Sequence, residues 1–415
     1  MVADCDRCAR RGGHWRPWGV DCGAMAIYLD NHATTRLDPQ VLEAMLPWLT
    51  DRYGNAGSLT HAYGRAAREA VELAREQVAE AIGATPREIL FTSGATESTN
   101  LAILGSAARP GREGGRLVSW TTEHRAVLDP LEHLATRGFN VAMLGVDDHT
   151  LPTAGRIRLD ELAEACSEGT FLVSLLLANN EIGTIQPAAE AAAITHACGG
   201  LLHLDAAQAV GKIPVDVDSL GADFLSLSAH KFHGPKGVGA LFVRRRERVA
   251  RLSPRVFGGG QERGLRSGTL DVPGIVGLGA AAVLAVADLD AEAARMQALR
   301  DRLWQQLAGQ IRDLQLNGPG LAVAGLRLPG NLNVRFGGVD GQTLLATLGE
   351  GALAVSSGSA CSSATPRPSH VLRALQLDDD QARASLRFGL SRFTTAEEID
   401  EAACLISAAV ARLRV

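Results

Sequence analysis

Short apolar runs of strand length alternate with stretches whose apolar residues recur at helical spacing. Residues 26–38 (AIYLDNHATTRLD) predict a short strand running into a polar turn, and Asp38-Pro39 then opens a helix that continues to about Thr50. Ala66 to Ile82 has helical spacing and stops at Gly83. Further strands are predicted at Glu88–Thr92, Arg116–Trp120, Asn140–Leu144, Phe171–Ala178, Leu201–Leu204 and Phe224–Leu227, with helices at Asn100–Ala107, Pro130–Arg137 and Ala188–Ala197. Phe171–Ala178 (FLVSLLLA) is continuously apolar, as a strand buried on both faces should be. Alternating strands and helices imply an α/β fold with a mostly parallel sheet. Such sheets bind ligands at the C-terminal edge of their strands, where Thr96, His124, Asn180, Asp205, Gln208 and Lys231 gather.

The pattern changes near residue 288. Val272 to Ala287 is the longest uncharged apolar stretch, but it contains Pro273 and three glycines and falls short of the ~20 residues a membrane span needs, so a buried helix is expected. From Ala291 the spacing becomes amphipathic, with helices expected at Ala291–Ile311, Thr343–Leu348, Pro368–Leu375 and Ala396–Ala409 and strands at Asn331–Phe336 and Ser385–Leu390. The expected organisation is a large domain over residues 39–287 and a smaller α+β domain from residues 26–38 and 288–415. Residues 1–25 form an extension, expected to be disordered or to precede a working start at Met25.

Composition narrows the class. At 415 residues, 46% hydrophobic and 21% charged, the chain reads as a globular enzyme. A net charge of -5 gives no footprint for nucleic acid, and the Arg244–Arg246 run is too short to make one. The first 25 residues lack the apolar centre of a secretory signal, so no membrane association and a cytoplasmic location are expected. Seven cysteines in so long a chain do not make a disulfide framework, and Cys5-x-x-Cys8 without a second such pair does not make a zinc site.

Lysine usage points to chemistry. Of 41 basic residues only Lys212, Lys231 and Lys236 are lysine. An amine can lose its proton and attack a carbonyl carbon, which a guanidinium cannot. Lys231 follows the apolar run Phe224–Leu227 in SLSAHKFHGPKGVG, between Ser228, His230 and a glycine-rich turn whose backbone can approach an anion. Ser93-Gly94-Ala95-Thr96-Glu97-Ser98 is a strand-to-helix turn of small residues, and a helix start of this kind holds phosphate. Pyridoxal phosphate carries both an aldehyde and a phosphate, and Asp205 at a buried strand end would pair with its pyridinium nitrogen. Each motif also has a plainer reading: a surface lysine in a turn, an ordinary helix cap, a hydrogen-bonded histidine at the core edge.

Taken together, YLDNHATT, FTSGATES, TEHRAVL, NNEIGTIQP, HLDAAQAVGK, SAHKFHGPKG, RGLRSGT, AVSSGSACSS and RFGLSRFTT make the chain resemble the cysteine desulfurases, pyridoxal-phosphate enzymes of the class V aminotransferase fold, from Ile27 to the C-terminus. The resemblance implies fold type I, with a seven-stranded-type sheet in the large domain. It implies that Lys231 carries the cofactor as a Schiff base, that Asp205 pairs with the ring nitrogen and that Gln208 and Asn180 meet the phenolic side. His124 would stack on the ring, and Ala95, Thr96, Ser228 and His230 would contact phosphate or cofactor, with Thr269 reaching across from the second subunit of a homodimer. Arg387, helped by Asn31, would hold the substrate carboxylate. Cys361 in SSGSAC would be the nucleophile that takes sulfur from L-cysteine as a persulfide, leaving alanine, with a lowered thiol pKa or His124 as base.

The same resemblance implies a sulfur-acceptor protein as partner, such as an iron-sulfur scaffold, toward which Cys361 would be a transient cluster ligand. Transfer toward tRNA thiolation is the other destination implied. Arg367 stands where relatives commonly carry an acidic residue, and the sequence stops at Val415 without the tail some members use for docking. The cofactor residues alone also fit a selenocysteine lyase or a class V aminotransferase, which Cys361 in its loop argues against. The intact set of Lys231, Asp205, His124 and Cys361 likewise argues against a non-catalytic sulfur-relay partner.

Overall fold

The computed structural model describes residues 27–166, 169–323, 325–350, 353–357 and 368–414. Cys361, Arg367 and the Cys5 to Cys22 segment lie outside the described residues.

The chain opens with β1 (Ile27–Tyr28), α1 (Pro39–Leu49), α2 (Ala62–Ala81), β2 (Ile89–Thr92) and α3 (Ala95–Ala107). There follow β3 (Arg116–Trp120), α4 (Arg125–Thr136), β4 (Asn140–Leu144), α5 (Leu159–Ala165), β5 (Thr170–Leu176), α6 (Ala188–Ala197), β6 (Leu201–Asp205), β7 (Phe224–Ser228) and β8 (Gly239–Val243). Seven of these strands form one sheet in the order β2-β8-β7-β6-β5-β3-β4. β4, β3, β5, β6 and β7 pair parallel, while β8 runs antiparallel to both β7 and β2. Apolar clusters fill both faces of the sheet, so β5 through β8 are buried along almost their whole length and are mostly apolar.

β8 is absent from the strands the pattern predicts, because it starts at Gly239 inside a glycine- and proline-rich turn. That glycine is required. A Cβ there would lie 2.6 Å from Gly94 Cα and 2.4 Å from Leu227 O, so the turn after β2 and the start of β8 can touch only with hydrogen at this position. α4 begins at Arg125, five residues before the predicted start at Pro130, because the His124 side chain caps it by accepting from the Ala126 N–H.

The buried apolar helix appears as α7 (Val272–Ala287), packed on α1 and α2, and the chain then bends by 75° into α8 (Leu289–Gln310). Among the described residues no single helix is long and apolar enough to cross a membrane. Beyond it lie β9 (Leu314–Leu316), β10 (Asn331–Phe336), β11 (Leu353–Ala354), β12 (Ser356–Ser357) and β13 (Ser385–Gly389), four of which form an antiparallel sheet in the order β12-β13-β10-β9. β1 pairs with β11, and Ile27 and Leu29 join the cluster of Leu332, Phe336 and Phe388, so the start of the described chain belongs with its end. Val371, Leu372, Leu375 and Leu377, although late in the sequence, pack into the larger core.

Candidate active site

Two motifs some two hundred residues apart are fastened to each other at the C-terminal edge of the sheet. β7 ends at Ser228, and a single turn of 3-10 helix, Ala229–Lys231, carries the lysine out of the strand. The Thr35 hydroxyl and backbone N–H both bond to His230 O, and Thr34 Oγ1 lies 3.1 Å from His230 Nδ1. The Lys231 amine donates to His32 O at 2.7 Å and Ala33 O at 2.8 Å. The polar turn after β1 is thus a wall of the site, which explains the run of small and polar residues in NHATT.

These elements enclose a cavity of about 480 Å³, a size ordinary for a cofactor site. Of the residues expected from sequence, it is lined by Ala95, Thr96, His124, Asn180, Asp205, Gln208, Ser228, His230, Lys231 and Arg387. Asn31 is not in the lining: it is buried, and its amide donates to Tyr28 O and Gly389 O. Thr269 is exposed and also outside the cavity of its own chain.

One end of the cavity is built for an anion. The first residues of the 13-residue helix α3 face it, and the residue before the helix is Gly94, at φ 147°, with no side chain capping the free N–H groups. An ordinary Ser or Thr cap is therefore not what this turn provides. Ser228, His230 and Lys236 complete that end. Burial, then the charges of Lys231, Lys236 and Lys212, push the His230 imidazole down to about 4, so it is neutral near pH 7. Glu97, also in the lining, is neutralised locally: it accepts from the Ser93 N–H and pairs with Arg266 at 2.8 Å, which also pins the RGLRSGT loop to α3.

Asp205 lies at the inner wall, 2% exposed. Burial raises its carboxyl above the usual range, opposed by His124, the Ala207 N–H and Lys231. Its one protein hydrogen bond among the described residues is from the Ala207 N–H to Oδ1 at 3.0 Å, leaving Oδ2 for a donor in the cavity. A buried carboxylate is costly without a partner, and a protonated ring nitrogen supplies one. His124 Nδ1 accepts from the Ala126 N–H, so the neutral ring carries its proton on Nε2 and offers the cavity a donor. With Nδ1 engaged by the Ala126 N–H, it is Nε2 that is left to face the cavity.

Arg387, on β13, is 1% exposed and reaches the cavity from the smaller sheet. It pairs with Asp30 Oδ1 at 2.7 Å and donates to Asn180 O at 3.0 Å, while its Nε–H has no partner among the described residues. Three neighbours escape the sequence reading of the site: His32, which lines the cavity; Glu123, whose carboxyl burial holds well above the usual range; and Lys212, whose amine touches Gln208. Only Lys212 carried a signal, as one of three lysines.

Among the described residues no thiol lines the cavity. Burial pushes the Cys166 thiol up to about 12, aggravated by its neighbour Cys198, so Cys166 is a poor nucleophile near neutrality. The donor set fits pyridoxal phosphate. Lys231 would hold its aldehyde, the α3 start with Ser228 its phosphate and Asp205 its ring nitrogen.

Residues 27–402 match the model of the aminotransferase class-V family. The chain is 50% identical over 388 residues to a protein named cysteine desulfurase IscS from Anaeromyxobacter dehalogenans, covering 94% of this chain and 93% of the relative. It is 46% identical over 396 residues to a probable mitochondrial cysteine desulfurase of Dictyostelium discoideum, covering 95% and 85%. Among solved structures it superposes on one titled NifS-like protein with a TM-score of 0.85 and 38% identity, over 94% of this chain and all of that one. With this sheet, this cavity and matches over nearly its whole described length, the chain belongs to the class V aminotransferase family and, within it, to the cysteine desulfurases.

Proposed function

We propose that this chain takes sulfur from L-cysteine with bound pyridoxal phosphate, releases L-alanine and passes the sulfur through Cys361 to an acceptor protein. The observation that carries this reading is the convergence on one cavity of a lysine amine, a buried carboxylate with an open oxygen and an uncapped helix start. Pyridoxal phosphate, when bound, supplies an aldehyde that condenses with amines and a cationic ring that stores the electrons left by a departing Cα proton.

The protein's own groups do the rest. Arg387 orients the substrate carboxylate through a guanidinium that Asp30 and the Asn180 carbonyl already hold rigid. The Lys231 amine, steadied by the carbonyls of His32 and Ala33, moves the proton at Cα. Asp205 would keep the ring nitrogen protonated from its buried place on the inner wall. The Cys361 thiolate attacks the substrate sulfur: a sulfur-sulfur bond forms, the carbon-sulfur bond breaks, and Cβ keeps the electron pair and takes a proton to become the methyl of alanine. The acceptor is a protein thiol or a scaffold that assembles iron-sulfur clusters, and a homodimer in which Thr269 contributes to the neighbouring cavity belongs to the same reading.

Incubation of the purified, cofactor-loaded protein with L-cysteine and a thiol reductant tests it. Alanine and sulfide in equal amounts, abolished in Cys361→Ser, are expected. Pyruvate, or an amino group moved to a keto acid without sulfide, would replace this reading with a lyase or transaminase.

A further inference from the structure

Lys212 lies four residues beyond Gln208 in the turn that follows β6 and is 9% exposed. Its Nζ donates to Gln208 Oε1 at 2.6 Å, and His32 Nδ1 lies 3.0 Å from the same oxygen. In return Gln208 Nε2 donates to His32 O at 2.8 Å. A carboxamide has two lone pairs on oxygen and two N–H protons. Both lone pairs and one proton are thus taken, and the one remaining N–H belongs to a side chain that lines the cavity. Turning the amide over would set its NH2 against two donors in a buried site, which is costly. We propose that Lys212 and His32 are positioning residues: they clamp the Gln208 carboxamide oxygen and so fix the amide in the orientation that presents N–H, not C=O, to the phenolic oxygen of the cofactor.

The clamp explains why lysine persists here in a chain that otherwise uses arginine. Burial, then the charges of Lys231 and Arg387, hold the Lys212 amine well below its usual range. An amine in such a place can give up its proton and still donate, whereas a guanidinium would keep its charge beside those two. His32 is held neutral in the same way, by burial first and then by Lys212 and Arg387. Its proton must sit on Nδ1 to serve Gln208 Oε1, and its Nε2, without a partner among the described residues, is the bare acceptor that this tautomer leaves.

The inference rests on the reading of the cavity as a pyridoxal-phosphate site, and one titration separates the two. The pH midpoint of the visible band of the loaded holoenzyme is measured for the wild type, Lys212→Met, His32→Leu, His32→Asn and Gln208→Leu. An N–H aimed at the anionic oxygen stabilises it most when no neighbouring proton shares its charge, so losing that donor raises the midpoint. Lys212→Met and His32→Leu should each raise it by on the order of one unit. His32→Asn, whose amide nitrogen can occupy the place of Nδ1, should stay with the wild type. In a Gln208→Leu background neither Lys212→Met nor His32→Leu should add a further shift. A wild-type midpoint in both Lys212→Met and His32→Leu overturns the clamp. So does a Lys212→Met shift that persists undiminished without Gln208, because the lysine would then act through its own charge. The two His32 variants carry the same test should Lys212→Met fail to fold. A wild type that takes up no pyridoxal phosphate defeats the cofactor reading, and the clamp with it.

Discussion

Lys231 and Lys236 both line the cavity, five positions apart, but the Lys231 amine is fixed on the carbonyls of His32 and Ala33. Lys231→Ala should therefore abolish the yellow band of the loaded enzyme while Lys236→Ala keeps it, and the reverse pattern in an absorbance scan would move the attachment point. Thr96 lies in the first turn of α3, where no side chain caps the helix. Thr96→Val should thus weaken cofactor retention, by about 1.5 to 3 kcal/mol for a lost donor to a charged group, with little change in melting temperature. Equal losses in retention and stability, by dialysis and calorimetry, would mark Thr96 as a structural residue. The line at strand ends, Asp205 and Lys231 above all, was legible because a polar residue after a buried run has few other reasons to be there. His32 and Glu123 were not legible, since a histidine in a polar turn and a glutamate before a helix cap carry no pattern until the fold closes around them. The tautomer of His124 depends on a backbone N–H two residues on, which spacing does not disclose.

At the scale of elements, the site depends on how closely the turn after β2 approaches the start of β8. Gly239→Ala would bring a methyl within 2.6 Å of Gly94 Cα and 2.4 Å of Leu227 O, contacts that only backbone movement relieves. The variant should lose about 1 to 3 kcal/mol of stability and most of its cofactor affinity together, since both turns border the anion end. Normal retention in spectroscopic titration would contradict that geometry. A second tie joins Glu181, in the turn after β5, to Ser369 at the head of the helix His370–Ala374, 2.5 Å apart. Burial pushes the Glu181 carboxyl up from 4.5 to about 7, opposed by Ser369 and Arg387. The folded protein then holds a proton that the unfolded chain has lost, so this contribution to stability is full below about pH 4.5 and disappears as pH rises through about 7. Glu181→Gln removes the titration, and its unfolding free energy should gain on the wild type by about 2 to 3 kcal/mol between pH 5 and pH 8. A gap independent of pH in denaturant titrations would show that the carboxyl is not so perturbed. Periodicity found the parallel strands but not β8, whose glycine start looks like loop, and it misplaced the start of α4, whose cap is a histidine rather than Ser, Thr, Asp or Asn.

The whole molecule joins a lysine-bearing sheet to a smaller sheet that supplies Arg387, which pairs with Asp30 beside β1 and reaches across to donate to Asn180 O beyond β5. The grouping of the first strand with the end of the chain was expected, but its partner was not legible, because β1 is two residues long and pairs with β11 far along the chain. Neither half of the site is complete alone, so proton movement at Lys231 and sulfur capture at Cys361 should separate by mutation. A protein beginning at Met25 should keep full activity, because every residue placed around the cavity lies after it; stoichiometric metal in the full chain, lost with activity on truncation, would contradict this. The most direct test of the account is mass spectrometry of the loaded enzyme after brief exposure to L-cysteine, before any reductant is added. One added sulfur is expected on the peptide containing Cys361, removable by a thiol, and none on Cys166, whose thiol burial keeps protonated. Added sulfur on Cys166, Cys198 or Cys404 with Cys361 unmodified would contradict it.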